Sequence, residues 1–324
     1  MVRAHWGDGD RRAGAFPDGA TLAEGRRGWV LCDTPERFLG GALAWGQAHR
    51  ITELHLIAGP GAGLIARRAR AFAQPPTVWC VDGGAVRVAE PEPLAPEPPL
   101  QPGAADLVGL ITAAGATPVA EHGHLLAEVR GLEVGRVVPA EGGPVLEIGV
   151  GRFDRDARRE LFAGLPHPPA PEAELARVVE DIRRRRVEGA PSHPARHLSP
   201  ERWLRAAVVD HPELVGAAHL APASPPLPRP DLLARATAPA VGRDGDGTPL
   251  VVVCSTGVDP ELVPSASDAR LAASVEGPDR TAPVRLAVVV PEGDDLPVTR
   301  RLAAALTEPA EVRTVGPGWR ALAG

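Results

Sequence analysis

The chain has 324 residues, of which 44% are hydrophobic, and its formal net charge is −6. This length favours two or three lobes over one compact core. The negative charge excludes non-specific adhesion to nucleic acid by bulk attraction, although a local basic face stays open. No apolar run reaches the length that spans a bilayer, and residues 1–27 lack the apolar stretch of a secretory signal, so we expect a cytoplasmic protein without a membrane span.

The sequence contains no lysine, so all 35 residues in the lysine and arginine count are arginine. Schiff-base catalysis needs an amine that can lose its proton, and arginine does not provide one. A P-loop needs a lysine on the transferred phosphate. Lysine-dependent mechanisms are therefore excluded. The three cysteines, Cys32, Cys80 and Cys254, lie far apart in the sequence and form no metal-type pair, which suits a reducing compartment.

The first predicted lobe covers residues 28–89, after a flexible N-terminal segment, 1–27. Its apolar runs and helix-start signals predict the order strand, helix, strand, helix, strand. The strands are predicted over residues 29–32, 53–58 and 77–81, and the helices over about 35–49 and 62–72. Strands that alternate with helices indicate a small parallel sheet of the Rossmann-like type.

A proline-rich stretch, residues 90–103, is predicted to be an extended linker. The middle lobe, residues 104–220, has a mixed pattern of strands and helices. Its strands are predicted over 125–129, 132–138 and 145–150, and its helices over 106–114, 153–162, 172–188 and from Ser199 onward. Residues 221–249 are rich in proline, glycine and aspartate, which predicts a second linker.

The last predicted lobe, residues 250–315, repeats the plan of the first and is followed by a tail, 316–324. Its strands are predicted over 250–254, 284–290 and 311–315, and its helices over 268–274 and 298–306. The first strand of each outer lobe ends at a cysteine. We interpret this repetition as a weak internal duplication. The predicted fold is therefore α/β, with two small Rossmann-like three-strand lobes that flank a mixed middle lobe.

A glycine-rich loop in the first lobe is a candidate nucleotide site. The stretch Gly61–Ala66 has the spacing G-x-G-x-x-A after a predicted strand, and Asp82 ends the next strand, 21 residues after Gly61. In dinucleotide-binding folds the glycines admit a pyrophosphate at a helix N-terminus, and the acid binds the ribose. Gly61, Gly63 and Asp82 are therefore candidate residues for binding NAD(P) or another nucleotide. The alternative is an ordinary tight turn.

Two resemblances concern the middle lobe. The stretch 145–151, VLEIGVG, resembles the first motif of S-adenosylmethionine methyltransferases, but no apolar strand follows where the ribose-binding acid should stand. Residues 105–162 run helix, strand, strand, turn, strand, helix. With the segments 132–138 and 145–149, this order resembles the restriction-endonuclease-like fold, and most of all small bacterial relatives of Holliday-junction resolvases.

The nuclease resemblance implies three acids that hold Mg²⁺ or Mn²⁺, which activates water. Carried over by position, Glu121 is the early acid, Glu133 lies near the second-strand acid, and Glu147 is the acid of Glu-x-Lys. Gly135 and Gly149 stand where the family has an aspartate and the lysine. The resemblance therefore implies a degenerate, non-cutting core. The alternative is a plain hairpin with solvated charges.

Arginines cluster at the end of one predicted helix and in the next. They are Arg183, Arg184, Arg185, Arg186, Arg202 and Arg205. Because guanidinium pairs with phosphate in bidentate fashion, the cluster predicts a patch that contacts DNA or RNA. A solvated helix end, favoured by the helix dipole, is the alternative.

The chain resembles conserved proteins of GC-rich, actinobacterial-type bacteria, and that resemblance implies no activity. Three hypotheses follow: a nucleic-acid-associated protein with a non-cutting nuclease-like core, a nucleotide- or NAD(P)-binding α/β enzyme, and a non-catalytic scaffold. Cys254 lacks the arginine of a phosphatase loop and is interpreted as a buried, inert thiol. The acidic segment 259–268 has no assigned chemistry.

Overall fold

The computed structural model describes residues 11–165, 169–276 and 283–323. In these ranges the chain is mixed α/β, with eight helices and three sheets, which confirms the predicted α/β class. The prediction of three-strand outer lobes is wrong, because the corresponding sheets have six and five strands. Unit 1 joins residues 1–94, 260–268 and 296–311, and unit 2 joins 95–259, 269–295 and 312–324. None of the described helices combines the length and the apolar character that a bilayer crossing requires.

Unit 1 is built on a six-stranded sheet whose strands lie in chain order. The strands are β1 (Arg12–Phe16), β2 (Gly19–Glu24), β3 (Arg27–Cys32), β4 (Glu53–Ala58), β5 (Thr77–Asp82) and β6 (Ala85–Val88). The central strands β3, β4 and β5 are parallel, and the flanking pairs are antiparallel. The crossover helices α1 (Leu39–Ala48) and α2 (Ala62–Ala69) contact each other and therefore lie on the same face of the sheet.

The prediction of a flexible segment over residues 1–27 is wrong for residues 12–24. These residues form β1 and β2, a hairpin that extends the sheet, whereas residues 1–10 lie outside the described residues. Small residues fill β1, so the alternating apolar pattern of a strand is absent there. Gly19 is the first residue of β2, and the backbone of β3 lies close to it. A Cβ atom at Gly19 would lie 1.9 Å from the Leu31 carbonyl oxygen.

The acidic segment has a structural role in unit 1, where α2 holds it through two arginines. Arg67 donates to both oxygens of Asp268, from Nε at 3.0 Å and from Nη2 at 3.2 Å. Arg68 Nε donates to the same carboxylate at 2.7 Å, and its Nη1 lies 3.4 Å from Glu261 Oε2. Both acids and Arg68 are buried. Gly40 completes the contact, because a Cβ atom there would lie 1.7 Å from the Pro260 carbonyl oxygen.

Unit 2 contains a four-stranded antiparallel sheet in the order β10-β9-β8-β7 and a five-stranded sheet in the order β11 to β15. The first sheet consists of β7 (Thr117–Glu121), β8 (His124–Val129), β9 (Leu132–Val138) and β10 (Val145–Ile148). The second consists of β11 (Ala217–Pro222), β12 (Ala238–Asp244), β13 (Pro249–Cys254), β14 (Arg285–Pro291) and β15 (Glu311–Val315).

Six further helices follow α2 along the chain. They are α3 (Val108–Ala113), α4 (Gly151–Ala163), α5 (Pro171–Arg185), α6 (Pro200–Asp210), α7 (Leu262–Glu276) and α8 (Pro297–Ala304). The first residues of α7 and all of α8 belong to unit 1. One buried core lies between α5 and the four-stranded sheet, and another joins α6 to the five-stranded sheet.

Three predicted boundaries differ from the structure. The predicted linker 221–249 contains β12, which pairs with both β11 and β13 in the five-stranded sheet. The predicted tail 316–324 contributes Trp319, which is buried with its ring 5.9 Å from that of Trp203, while Gly324 lies outside the described residues. The predicted lobes 104–220 and 250–315 are not separate compact units. In all three cases the structure depends on contacts between residues far apart in the sequence, and local composition does not indicate such contacts.

The two mixed sheets share one order of strands. In each, two antiparallel strands precede a parallel pair: β1 and β2 precede β3-β4, and β11 and β12 precede β13-β14. A helix follows β3, β4, β13 and β14 alike. The predicted repeat comprised only the alternation of strands and helices from residues 28 and 250 onward, so the antiparallel strands that precede each parallel pair were not part of it. Common ancestry stays a hypothesis.

Two corresponding positions of the proposed repeat also pair within unit 1. Phe72 follows α2, Leu306 follows α8, and the two residues form an antiparallel bridge. The flanking backbone bonds are reciprocal: they join Ala73 N to Ala305 O at 3.0 Å and Thr307 N to Ala71 O at 2.8 Å. Reciprocal bonds of this kind are found in any antiparallel bridge, so the contact by itself does not test the duplication.

Replacing Asp268 with alanine is expected to destabilise the protein by about 3–5 kcal/mol, because the change leaves two guanidinium groups without their shared buried carboxylate. Chemical denaturation monitored by tryptophan fluorescence measures the effect. Asp33→Ala, at an exposed position of the same unit, serves as the control and should change stability by less than about 0.5 kcal/mol. Equal effects of the two substitutions would contradict the assigned role.

Candidate functional site

The predicted nucleotide residues Gly61, Gly63 and Asp82 line one groove of unit 1. The groove has a volume of about 400 Å³ and lies at the carboxyl ends of β4 and β5, where α2 begins. Its lining residues are Gly59, Pro60, Gly61, Ala62, Gly63, Cys80, Val81, Asp82, Arg87, Ala89 and Glu90. Open α/β sheets commonly bind ligands at this edge. The groove therefore gathers two carboxylates, one guanidinium, a thiol and a helix N-terminus.

Gly61 is required by the fold as well as by any ligand. It precedes the first residue of α2 with a φ of +84°, a backbone conformation that favours glycine. A Cβ atom there would also lie 2.4 Å from Pro35 Cγ. The first part of the G-x-G pattern is thus explained by a neighbouring proline and a left-handed backbone.

Gly63 faces another part of the chain. The segment of residues 90–93, which we call the strap, crosses the first turn of α2, and Glu92 N donates to Gly63 O at 3.0 Å. A Cβ atom at Gly63 would lie 3.0 Å from Glu92 Cβ and 3.2 Å from Glu90 O. The space beside this glycine, which a pyrophosphate uses in dinucleotide-binding folds, is therefore occupied by protein.

The three cysteines differ in their access to solvent. Cys32 and Cys254 are buried, whereas Cys80 is half-buried and lines the groove. Burial raises the pKa of Cys254 to about 12, against a smaller opposing effect of the Arg205 charge. The prediction that Cys254 is buried is confirmed, and its raised pKa favours an unreactive thiol.

The three acids assigned by the nuclease resemblance are each paired with arginine. Glu121, in β7, is buried and accepts a hydrogen bond from Arg202 Nη2. Glu133, in β9, is buried and accepts from Arg155 Nη1 at 2.5 Å and from Arg136 Nε at 3.0 Å. These carboxylates are neutralised by protein groups, so their negative charge is not free to attract a metal ion.

Glu147, in β10, accepts a hydrogen bond from Arg159 Nη1 at 2.5 Å near the surface. Gly149, which stands at the place of the family's lysine, has a φ of +147°, and a Cβ atom there would lie 2.8 Å from Arg155 N. Among the described residues, no group of three histidine, cysteine, aspartate or glutamate side chains is placed to hold a metal ion. The structure does not bring the three predicted acids together as a metal site.

Sequence reasoning missed the central acid of this region, Glu128. It lies in β8, is buried, and accepts from Arg202 Nη1 at 3.0 Å and from Arg205 Nη2 at 2.6 Å. Burial alone raises the pKa of Glu128, but the charges of Arg205 and Arg202 and the hydrogen bond from Arg205 hold that pKa below its usual value. A single charge inside an otherwise apolar strand was the signal available in the sequence.

Arg186 is fully buried and donates to backbone carbonyl groups through both of its terminal nitrogens, whereas its Nε has no hydrogen-bond partner among the described residues. Its Nη1 donates to Ala195 O at 2.6 Å and to Leu198 O at 2.7 Å, and its guanidinium lies 4.4 Å from the centre of the Trp203 ring. Burial lowers the pKa of Arg186 to about 9. The group is still protonated at neutral pH, so Arg186 carries its charge into the core.

Arg186, Arg202 and Arg205 are buried, so the prediction is wrong in placing these three arginines on a phosphate-contacting surface. The other three have protein partners: Arg183 Nη2 donates to Gly115 O at 2.8 Å, Arg184 Nη2 lies 3.7 Å from Asp181 Oδ1, and Arg185 Nε donates to Asp181 Oδ2 at 2.7 Å. Association with DNA or RNA stays a prediction, and of the six residues only Arg183, Arg184 and Arg185 are accessible for it.

No family model, curated protein or solved structure matches this chain. The likenesses to nucleases and to dinucleotide-binding enzymes therefore rest on sequence patterns alone, and a fold by itself does not assign a function.

Native protein is expected to expose one fast-reacting thiol, because only Cys80 of the three cysteines is partly accessible. Titration with a chromogenic disulfide reagent should give one fast equivalent in buffer and three in denaturant. Cys80→Ser should remove the fast phase. A fast phase that persists in this variant would contradict the burial of Cys32 and Cys254.

Glu128 should make stability depend on acid pH. Its folded pKa is below its unfolded value of 4.5, so its contribution is present above pH 4.5 and is lost as pH falls through the folded pKa. Glu128→Gln should lower the free energy of unfolding at pH 7 by about 3–5 kcal/mol and flatten this acid dependence. Denaturant unfolding between pH 3 and 7 tests it, with the exposed Glu141→Gln as control. A steep dependence retained in Glu128→Gln would count against this role.

Proposed function

We propose that unit 1 binds a small nucleotide in the groove that contains Gly61, Asp82 and Arg87. One observation carries the proposal. The glycine loop after β4 and the acid that ends β5, which the sequence pattern pairs as parts of one site, line the same groove, and they do so beside an arginine. A nucleotide offers a phosphate, a ribose and an apolar base face to such a surface.

Each part of the groove suits one part of a nucleotide. The N-terminus of α2 carries partial positive charge, and the exposed Arg87 can pair with two phosphate oxygens. Asp82 is an acceptor for ribose hydroxyl groups. Val81 and Ala89 add apolar surface to the lining. The combination of a few polar groups with apolar walls is typical of small-ligand sites.

This proposal favours the nucleotide-binding hypothesis over the nucleic-acid hypothesis. The four-stranded sheet of unit 2 is proposed to be a structural module, since its predicted acids and the neighbouring arginines are paired with each other. A cytoplasmic location is part of the proposal, supported by the three free cysteines.

Isothermal titration of the full chain with AMP, with inorganic phosphate and with adenosine tests the proposal. We expect AMP to bind more tightly than either fragment. Arg87→Gln should weaken AMP by about tenfold to a hundredfold, the effect of losing a charge-assisted hydrogen bond, without weakening adenosine. Arg70→Gln serves as the matched control, because Arg70 is an exposed arginine that follows the last residue of α2 and does not line the groove.

A second readout uses the thiol in the groove. Because Cys80 lines the groove, bound AMP should slow its alkylation, and the slowing should saturate at the Kd from the titration. Absence of both AMP binding and Cys80 protection would refute the proposed function. Binding that Arg87→Gln leaves unchanged would place the nucleotide elsewhere.

A further inference from the structure

We infer that the strap sets the ligand class of the groove: it admits nucleoside monophosphates and excludes dinucleotides. This inference rests on the proposed function. The strap is the part of the predicted linker that the sequence pattern did not connect with the glycine loop, and in the structure it covers the first turn of α2.

The contact at Gly63 carries the argument. Dinucleotide-binding folds use the second glycine of G-x-G to let a pyrophosphate approach the backbone. Here the carbonyl oxygen of Gly63 accepts from Glu92 N at 3.0 Å, and strap atoms lie 3.0 to 3.2 Å from where a Cβ of Gly63 would stand. A phosphate cannot share that space with the strap. The close passage of the strap favours glycine at this position.

The strap is anchored at a second point. Arg67 Nη1 donates to the carbonyl oxygens of Glu92 and Pro93, at 3.0 and 3.2 Å. Arg67 is itself held by the buried carboxylate of Asp268. Pro91 and Pro93 restrict the backbone on either side of Glu92. The strap is therefore a held segment, bonded to both the first and the last turn of α2.

The charges of the groove agree with a single phosphate. Its lining has the carboxylates of Asp82 and Glu90 against the one guanidinium of Arg87. One phosphate can pair with Arg87 and the N-terminus of α2. A second phosphate would face the two carboxylates, and like charges at close range are unfavourable.

The substitution Glu92→Pro tests the strap directly. It removes the N–H that bonds to Gly63 and adds a ring where the carbonyl of Gly63 lies, while the prolines on both sides of this position keep the backbone extended. Wild type is expected to bind AMP and not NAD⁺. Glu92→Pro should gain NAD⁺ affinity by about tenfold or more, the effect of removing one restraining hydrogen bond. Ala95→Pro adds a proline to the same exposed stretch away from Gly63 and serves as the matched control.

Hydrogen exchange of the wild-type chain without ligand separates this inference from the proposed function. The amide of Glu92 should exchange at least about tenfold more slowly than the amides of residues 94 and 95, because it alone of these donates to Gly63. Protection at Glu92 with no AMP binding would leave the strap in place and remove the nucleotide function. AMP binding together with an unprotected Glu92 amide, or with wild-type affinity for NAD⁺ equal to that for AMP, would overturn the strap inference.

Discussion

A buried guanidinium keeps its charge at neutral pH, so the fold must surround it with acceptors. This constraint organises both units of a chain whose basic side chains, histidine aside, are all arginine. In unit 1, Arg68 is buried against Asp268 and Glu261. In unit 2, Arg202 and Arg205 share Glu128, and Arg186 is surrounded by backbone carbonyl oxygens. These close partners offset the cost of desolvation only in part, because Nε of Arg186 and both Nε and Nη1 of Arg205 have no hydrogen-bond partner in the part of the chain that the structure describes.

The same constraint explains why the acids of the middle region resemble a metal site and do not form one. A carboxylate in a strand is a suitable metal ligand and an equally suitable partner for arginine. Glu121 and Glu133 lie in strands of one antiparallel sheet, but each pairs with an arginine and not with another acid. Residue type and spacing do not distinguish these outcomes, because the choice depends on which helix packs against the sheet.

The glycine loop also has two possible explanations, a ligand or a neighbouring part of the chain. Gly61 and Gly63 match a pattern that usually indicates a ligand, yet each has a close protein neighbour. Pro35 excludes a side chain at Gly61, and the strap favours glycine at Gly63. A close approach excludes a side chain whether the approaching atoms belong to a ligand or to the chain itself. The proposed ligand site does not depend on Gly63, because Asp82 and Arg87 also line the groove.

Local sequence determined the elements with strong apolar runs. The strands β4 and β15 have the predicted bounds, and the helix starts at Ala62 and near Pro297 follow from the loop and proline signals. The absence of lysine also excluded whole classes of mechanism without any structure. These features depend on residue types and on residues that are neighbours in the chain, so they can be predicted from the sequence alone.

Only the tertiary structure shows which strands pair with each other and which charged residues form ion pairs. The strands β1 and β12 are built from small or proline-flanked residues and exist because a neighbouring strand supplies their hydrogen bonds. The acidic residue Asp268 meets Arg67 and Arg68 across some 200 positions of sequence, and Glu128 meets Arg205 across 77. The free energy of a buried charge depends on what surrounds it in space, and no local pattern in the sequence encodes those surroundings.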